Sequence, residues 1–222
     1  MRPFFITSFL LLCCCSKSFS QQSPFTFGIH TGANLNSARG NGFPTGEPNN
    51  NTGLNFGLDL EYKLSQRFSL KAMPQIDRNG WQFRNLLFQG LSPATTLQKG
   101  SAVTRLIYLN LPVTANYFFG HRIKYYVGAG AFGGVLLNEK LTINQKVAEG
   151  AIIAASGTYT NYYKRLNFGL SFNAGAQFPL TKTVKLNLGL QENLGLVNIH
   201  KNAGSIRTNS LSCLVGVVFK SK

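Results

Sequence analysis

The sequence predicts an all-β protein, an eight-stranded antiparallel transmembrane β-barrel with short periplasmic turns and long extracellular loops. In LNFGLSFNAGAQF, residues 166–178, every second residue is apolar and the residues between are polar or glycine. After PLTKT the same alternation resumes at Val184. Strands of this length exceed the roughly 5–6 residues usual in globular sheets. They suit a tilted bilayer crossing, with lipid on one face and a polar lumen on the other.

The N-terminus predicts a secretory signal peptide over residues 1–20, followed by a barrel domain over residues 21–222. Arg2 supplies the positive charge, an apolar stretch follows, and residues 18–20 form a small-x-small cleavage motif. The apolar run is too short for a transmembrane anchor. Lipoprotein processing is a rival, disfavoured because a small residue precedes none of Cys13, Cys14 and Cys15.

Composition excludes several classes of protein. The 22 Lys and Arg residues outnumber the 7 Asp and Glu residues, which gives a formal net charge of +15. An exported chain without an aromatic-basic motif is not expected to bind nucleic acid, so an anionic membrane surface is the expected counterpart of this charge. Loss of the signal leaves only Cys213, which excludes an internal disulfide and a Cys/His metal site.

Alternation with period two predicts eight strands. They span residues 25–36, 53–64, 68–78, 104–118, 123–137, 166–178, 184–194 and 209–219. The short connections are 65–67, 119–122 and 179–183, and the long ones are 37–52, 79–103, 138–165 and 195–208. Outer-membrane barrels have short periplasmic turns and longer outside loops, so an even strand count places both termini in the periplasm. A soluble barrel such as a lipocalin would reverse the two faces.

Aromatic residues gather near both ends of the predicted strands, as they do at the two membrane interfaces. The turn-side set is Phe25, Tyr62, Phe68, Tyr117, Phe118, Phe119, Tyr125, Phe178 and Phe219, and the loop-side set is Trp81, Phe83, Tyr108, Tyr159, Tyr162, Tyr163 and Phe168. Pro74 and Pro112 interrupt two strands, although a closed barrel has no edge strand that tolerates a missing N–H. Each is expected to mark a β-bulge, which leaves the local register open.

Several segments resemble the PorT-like outer-membrane β-barrel family of Gram-negative bacteria (outer membrane protein beta-barrel domain). FGIHTGANLN resembles its opening strand, LIYLNLPVTANYFF its fourth strand, YYVGAGAFGGVLL its glycine-rich fifth strand and LGLVNIHKN its last outer loop. The resemblance implies an integral outer-membrane protein, with secretion-system components among its partners. The chain departs from the family at residues 220–222, which follow the last aromatic residue and bear on how the barrel-insertion machinery reads the last strand.

Charged residues fall on the predicted lumen face. The candidate ion-pair residues are Asp59, Glu61, Lys71 and Lys185, and Asp77, Glu192 and His30 are also placed there. A three-residue turn sets Lys71 opposite Glu61, and a tighter register sets it opposite Asp59. An acid–base catalytic pair is one reading. An eight-stranded barrel is just wide enough for side chains to fill, which favours structural ion pairs and predicts no catalytic residue, cofactor or metal ligand.

The predicted outer loops are basic. The candidate lipopolysaccharide contacts are Arg84, Lys99, Lys140, Lys146, Lys164, Arg165, Lys201 and Arg207. Lys and Arg pair well with phosphate, so outer-membrane lipid and lipopolysaccharide are expected partners.

The sequence therefore favours a small, non-enzymatic outer-membrane protein that serves as a membrane scaffold or as an accessory of an envelope or secretion assembly. In the alternative, the loops, especially 138–165, bind an extracellular ligand or partner in the manner of an adhesin or receptor. A narrow channel is less favoured because eight strands leave little aqueous space.

Overall fold

The protein is seen in a computed structural model that describes residues 24–43, 48–88, 98–146, 152–157, 162–201 and 204–220. The strands are β1 (Phe25–Arg39), β2 (Asn49–Lys63), β3 (Phe68–Ala72), β4 (Gln75–Phe88), β5 (Gln98–Phe119), β6 (Lys124–Lys146), β7 (Ile152–Gly157), β8 (Leu166–Pro179), β9 (Val184–Gly195) and β10 (Arg207–Lys220). Among the described residues, no helix is long and apolar enough to cross a membrane. The predicted signal peptide lies outside them.

The strands close into an antiparallel ring. β1 pairs with both β2 and β10, and the ring continues from β10 through β9, β8, β6 and β5. β3 and β4 together fill the one position between β2 and β5, while β7 pairs with the part of β6 that extends beyond its pairing with β8. The ring thus has eight strands, which confirms the predicted fold class.

Alternating burial separates two faces of the barrel wall. Leu188 is 42% exposed and points outward, whereas its neighbour Asn187 is 1% exposed and points into the lumen. The same pattern runs along β1 and β2, where Phe27 is half exposed and Thr26 is buried. Hydrophobic side chains cover the outside because lipid, rather than water, is the solvent there.

The bulges expected at Pro74 and Pro112 are absent, so that prediction is wrong. Leu60 pairs with Ala72 before the break between β3 and β4, and Gly57 pairs with Gln75 after it, so the register does not change. The carbonyls of both prolines still accept hydrogen bonds, from Leu58 N–H and Met73 N–H respectively, each at 2.9 Å. The ladder therefore spans the break without an extra residue.

Register shifts occur instead toward the other end of the barrel. They lie between Asn50 and Asn55, between Phe83 and Leu86, and between Ile107 and Tyr108. There β4, β5 and β6 run well past their predicted limits, so much of the predicted loops 79–103 and 138–165 is strand. Alternation weakens in these extensions, which is why sequence reading ended the strands early.

We call the end with the connections 64–67, 120–123 and 180–183 the turn end, and the opposite end the loop end. Aromatic rings line the turn end as predicted, except that Phe118 shares the parity of the lumen residues and its ring lies 5.6 Å from that of buried Tyr126. Ring pairs there are Phe25–Tyr62, Phe27–Phe219, Phe68–Tyr117, Tyr117–Phe119 and Phe119–Tyr125. Such a girdle marks one boundary of the lipid-facing band.

At the loop end, the predicted second girdle is wrong in part. Trp81 and Tyr108 are 2% and 0% exposed and point into the barrel rather than toward lipid. Lumen parity explains this, because Trp81 follows buried Asp77 and Asn79 along β4. Tyr159 lies outside the described residues, whereas Phe168 is half exposed on the outer face.

Candidate functional site

A chain of polar contacts crosses the lumen. Lys71 Nζ lies 3.0 Å from Asp59 Oδ1, and the same oxygen lies 3.0 Å from His30 Nδ1. On the other side of the imidazole, His30 Nε2 lies 3.2 Å from Gln75 Oε1. All four side chains are buried. They come from β1, β2, β3 and β4, so the network ties three neighbouring positions of the ring together.

Hydrogen-bond roles in this network are set by Asp77. The Gln75 Nε2 group donates to both Asp77 oxygens, at 3.0 and 2.9 Å, so its Oε1 faces His30 as an acceptor. Asn110 Nδ2 donates to Asp77 Oδ2 as well. Both His30 nitrogens therefore face oxygens, Asp59 Oδ1 on one side and Gln75 Oε1 on the other. The ion pair with Lys71 offsets the cost of burying the Asp59 carboxylate, and amide donors do so for Asp77.

The remaining candidate lumen charges lie nearer the turn end. Glu61 is 3% exposed and stands opposite Lys71 in the strand register. Lys185 is half-buried, and its Nζ donates to Gln177 Oε1 at 3.1 Å. Glu192 is misplaced by the sequence reading: it pairs with outward-facing Phe172 and Leu211, because it shares the parity of Leu190 rather than that of Gln191.

Glycines make room for the large lumen side chains. Tyr126 is 4% exposed, and its hydroxyl occupies the space that a Cβ would take at Gly175 and Gly189. A Cβ at Gly128 would overlap the side chains of Asn116 and Asn173. The glycine-rich stretch of β6 thus lets side chains fill the barrel.

A hydrophobic cluster closes the loop end of the lumen. Its buried members are Ala38, Trp81, Leu106, Tyr108, Ile199 and Ile206. Phe43 packs on it, with its ring 5.8 Å from both Trp81 and Phe83. Sequence reading missed this cluster because Ile199 and Ile206 lie in the connection between β9 and β10, where no periodicity marks them. The cluster gives the polar lumen an apolar plug.

Basic side chains face each other across the outer wall above the apolar band. Arg39 and Arg207 are directly opposite in the β1–β10 pair, and Arg105 and Lys140 are opposite in the β5–β6 pair. Like charges in directly opposed positions are destabilising unless something neutralises them. These two pairs are therefore places where an anionic group would be accommodated.

Most of the predicted lipopolysaccharide contacts are exposed at the loop end. Exposed at the loop end are Arg84, Lys140, Lys164, Arg165, Lys201 and Arg207. Lys99 and Lys146 lie in β5 and β6, but their side chains fall outside what the structure describes.

A cavity of about 300 Å³ opens beside the plug at the loop end. It is lined by Thr104, Glu139, Lys140, Leu141, Tyr162, Tyr163 and His200. A single bridge between Tyr163 and His200, with Lys164 N–H donating to Ile199 O at 2.7 Å, holds the two connecting segments against each other. The Tyr163 ring lies 5.6 Å from Trp81, so the cavity wall rests on the plug.

The electrostatics of the cavity are dominated by one buried acid. Glu139 is 4% exposed and lies beyond Leu137, the last outward apolar residue of β6. Burial raises the pKa of its carboxyl, while the backbone N–H groups of Tyr162 and Tyr163 and the Lys201 ammonium oppose the rise. Burial also raises the pKa of the Tyr163 phenol to about 12. The Glu139 carboxylate is thus held by backbone donors in the wall of the cavity.

Comparison with solved structures finds other barrels at low identity. Neisserial surface protein A is 16% identical, with a TM-score of 0.44 over 88% of this chain and 97% of that one. OprG of Pseudomonas aeruginosa is 9% identical, with a TM-score of 0.46 over 90% and 98%. Ail of Yersinia pestis is 13% identical, with a TM-score of 0.39 over 88% and 99%.

A family model identifies the family of the chain, whereas comparison with individual proteins does not. No curated protein matches the chain. The model of a family described as "Outer membrane protein beta-barrel domain" matches residues 19–201, most of the chain. Together with the closed eight-stranded ring and its lipid-facing stripe, this match assigns the protein to the bacterial outer membrane. The chain belongs to the outer membrane protein beta-barrel domain family.

Proposed function

We propose that the protein is a non-conducting, non-enzymatic barrel that serves as a membrane scaffold or as an accessory of an envelope or secretion assembly. Its turns and both termini face the periplasm, and its loop end faces the outside. The carrying observation is the filled interior: a hydrogen-bonded polar lumen lies below an apolar plug built on Trp81 and Ile206. An eight-stranded barrel filled in this way leaves no wide aqueous channel.

Planar-bilayer recording tests the non-conducting role. Purified protein should give no unitary current steps under conditions in which a larger porin conducts. A double variant, Trp81→Ala with Ile206→Ala, removes the plug, and any leak that it shows would demonstrate that the assay detects an opened barrel. Reproducible steps from the unaltered protein would contradict the proposal.

A role in an assembly is supported by the PorT-like segments of the sequence and by the two chemically different ends of the barrel. Photo-crosslinking in intact cells would test it, with the crosslinker at Thr181 on the turn end or at Lys201 on the loop end. Capture of an envelope or secretion component from Thr181 supports the accessory role. Crosslinks to lipid and to insertion machinery alone, at both positions, count against it.

Lipopolysaccharide phosphate is the proposed partner of the outer basic pairs. Arg39 with Arg207, and Arg105 with Lys140, project from the wall just above the lipid-facing band. A phosphate between two opposed cations relieves their repulsion and forms charge-assisted hydrogen bonds. The test is whether the stability of the barrel depends on phosphate-bearing lipid.

A second candidate function is the binding of an extracellular ligand at the loop end. The cavity beside Glu139 favours it, because the volume lies at the lower end of the range for small-molecule sites, about 300–1,000 Å³. Loss of a cellular phenotype on shortening the connection between β6 and β8, with the barrel still folded, would support a binding role over a purely structural one.

A further inference from the structure

Four lysines surround the mouth of the lumen at the turn end, and we call them the lysine ring. They are Lys63 of β2, Lys124 of β6, Lys185 of β9 and Lys220 of β10. In the strand ladder each stands opposite a buried residue, in the same order Ser69, Gln177, Val218 and Thr26. Directly opposed residues of an antiparallel pair share one face, so all four lysines lie on the lumen face. All four are only half-buried, so part of each side chain remains accessible from the turn end.

The positive charge of the lysine ring is largely uncompensated. Lys63, Lys124 and Lys220 are all close enough to repel the Lys185 ammonium, and Glu61 attracts it. The salt bridges formed among the described residues both involve Asp59, deeper in the lumen, and none of them includes a lysine of the ring. Four cations that share one narrow opening therefore face mainly each other.

The surrounding turns increase the same charge. The connections 64–67, 120–123 and 180–183 contain Arg67, Arg122 and Lys182 but no Asp or Glu. A concentration of one sign of charge around a concave opening attracts ligands of the opposite sign and raises their association rate. The turn end is therefore suited to an anionic partner.

The spacing of the lysines restricts the kind of anion. They come from four different positions of the closed ring of strands, and among the four strands only β9 and β10 are neighbours. A single small anion can contact only part of this set. An extended peptide carries a side chain about every 3.3 Å, so consecutive acidic residues can present several carboxylates to separate lysines.

The two faces of the wall argue against lipid headgroups as the ligand. At the level of the lysine ring the outer face carries Tyr62 and Tyr125, which are 45% and 44% exposed. Headgroups at the membrane interface would meet these aromatic rings, whereas the lysines point toward the barrel axis. Below the lysine ring, buried Glu61 and Tyr126 fill the lumen, so a ligand stays at the mouth. We propose that the lysine ring binds a carboxylate-rich peptide segment of an envelope partner.

This inference gives the chemistry of the partner in the accessory role proposed above, and it rests on that role for the source of the segment. Fluorescence anisotropy with the full barrel in a neutral detergent tests the binding itself. The probe is hexaglutamate with a terminal fluorophore, and its match has serine in place of each glutamate. Hexaglutamate should bind saturably and the serine peptide should not. Added salt should weaken the binding, because mobile ions screen partly exposed charges.

A double variant tests the lysine ring directly. Lys63→Gln with Lys220→Gln should weaken hexaglutamate binding about tenfold, since each removes one partly exposed ionic contact. Lys124 and Lys185 are kept, because their ammonium groups donate to Gly120 O and Gln177 Oε1. Folding is checked by the shift of the unheated barrel on electrophoresis. Should the double variant fail to fold, Lys220→Gln alone must weaken binding about threefold.

A matched double variant separates the lysine ring from the general charge of the turn end. Arg67→Gln with Lys182→Gln also removes two charges, but from exposed turns outside the mouth. It should weaken binding less than about twofold. An equal loss in the two double variants overturns the proposal, as does the absence of saturable binding by the unaltered barrel. Stronger competition by inorganic tripolyphosphate, or by phosphatidylglycerol in mixed micelles, than by unlabelled hexaglutamate would also overturn it.

Crosslinking in cells separates this inference from the accessory role. A component captured from Thr181 should be lost in the Lys63→Gln, Lys220→Gln barrel and kept in the Arg67→Gln, Lys182→Gln barrel. Capture that persists in the first of these contradicts docking at the lysine ring and leaves the accessory role intact. If hexaglutamate binds as expected in micelles but Thr181 captures no component in any barrel, the accessory role fails while the affinity of the lysine ring for carboxylates stands.

Discussion

Lys71 stands opposite Glu61 in the strand register, yet its ammonium bonds to Asp59 Oδ1 at 3.0 Å. The side chain reaches diagonally toward the loop end, where Asp59 also contacts His30. Its Nζ lies 5.8 Å from the centre of the Tyr126 ring, whose face attracts a cation. Sequence parity left both carboxylates open as partners. In the structure, Glu61 is the residue paired with Lys71 in the strand register, whereas Asp59 forms the ion pair with its ammonium.

Lys71→Met should destabilise the barrel. It leaves the Asp59 carboxylate buried with only its contact to His30, and breaking a buried pair costs about 3–5 kcal/mol. A urea titration of refolding into lipid vesicles would measure the loss. Lys124→Met, which removes a half-buried lysine at the turn end, is the control and should change stability by less than about 0.5 kcal/mol.

A double variant tests whether the unpaired charge of Asp59 causes the loss of stability in Lys71→Met. Lys71→Met with Asp59→Asn leaves a neutral acceptor for His30 and removes the stranded charge, so much of the lost stability should return. Cellular function should be retained, because the proposed role asks no chemistry of these groups. A stable double variant that fails to complement would show that the lumen is a working site.

Leu188→Arg should cost about 2–4 kcal/mol, because an arginine on the lipid face is destabilising near the bilayer midplane. Leu188 is 42% exposed on the outer face of β9. Leu180→Arg is a matched control: that leucine is 59% exposed but lies in the turn beyond the strand. Equal losses in the two variants, in the same vesicles, would argue that the outer face does not meet lipid.

Much of the barrel could be predicted because lipid imposes one rule on every strand. The rule assigns Leu188 and Asn187 to opposite faces without any knowledge of their neighbours. The rule no longer applies where β5 and β6 extend beyond the bilayer. There Trp81, an aromatic residue, points into the barrel and does not face the membrane interface. Glu192 shows a different error, since its charge was given more weight than its parity.

The candidate site was less accessible to sequence reading. Glu139 falls within the predicted loop 138–165, and nothing local in the sequence marks it as buried. Its environment depends on Tyr163 and His200, which reach it only after β9 and β6 have been brought to the same end of the ring. Parity could have found the lumen-facing Trp81, whereas the cavity required the tertiary structure.

Gly128→Ala should destabilise the barrel by about 1–3 kcal/mol through overpacking, since the new Cβ overlaps Asn116 and Asn173 in the filled lumen. Ala129→Val is the control on the adjacent, outward-facing position. It adds more carbon but toward lipid, so it should be tolerated. Comparison of the two urea midpoints measures the effect, and a tolerated Gly128→Ala would mean that the lumen holds free space.

Orientation is tested by labelling single cysteines in a Cys213→Ala background. Lys164→Cys lies at the loop end and Lys182→Cys in a turn, and both native side chains are exposed. A membrane-impermeant maleimide should modify Lys164→Cys on whole cells. It should reach Lys182→Cys only after the outer membrane is permeabilised. The reverse pattern would place the loop end in the periplasm.

For a variant that removes one charge of an opposed basic pair, the change in barrel stability should have opposite signs with and without lipopolysaccharide. In a phosphate-free detergent, Arg207→Gln should stabilise the barrel by about 0.2–1 kcal/mol, because it relieves repulsion with Arg39 across the strand pair. In vesicles that contain lipopolysaccharide, the same change removes a phosphate contact and should destabilise it. Arg67→Gln, at an exposed turn-end position, should show no such reversal. Since the two environments are compared within one variant, a general folding defect cannot produce the reversal. If Arg207→Gln changes the stability in the same direction in detergent and in vesicles, the pair is solvated in the membrane and does not hold phosphate.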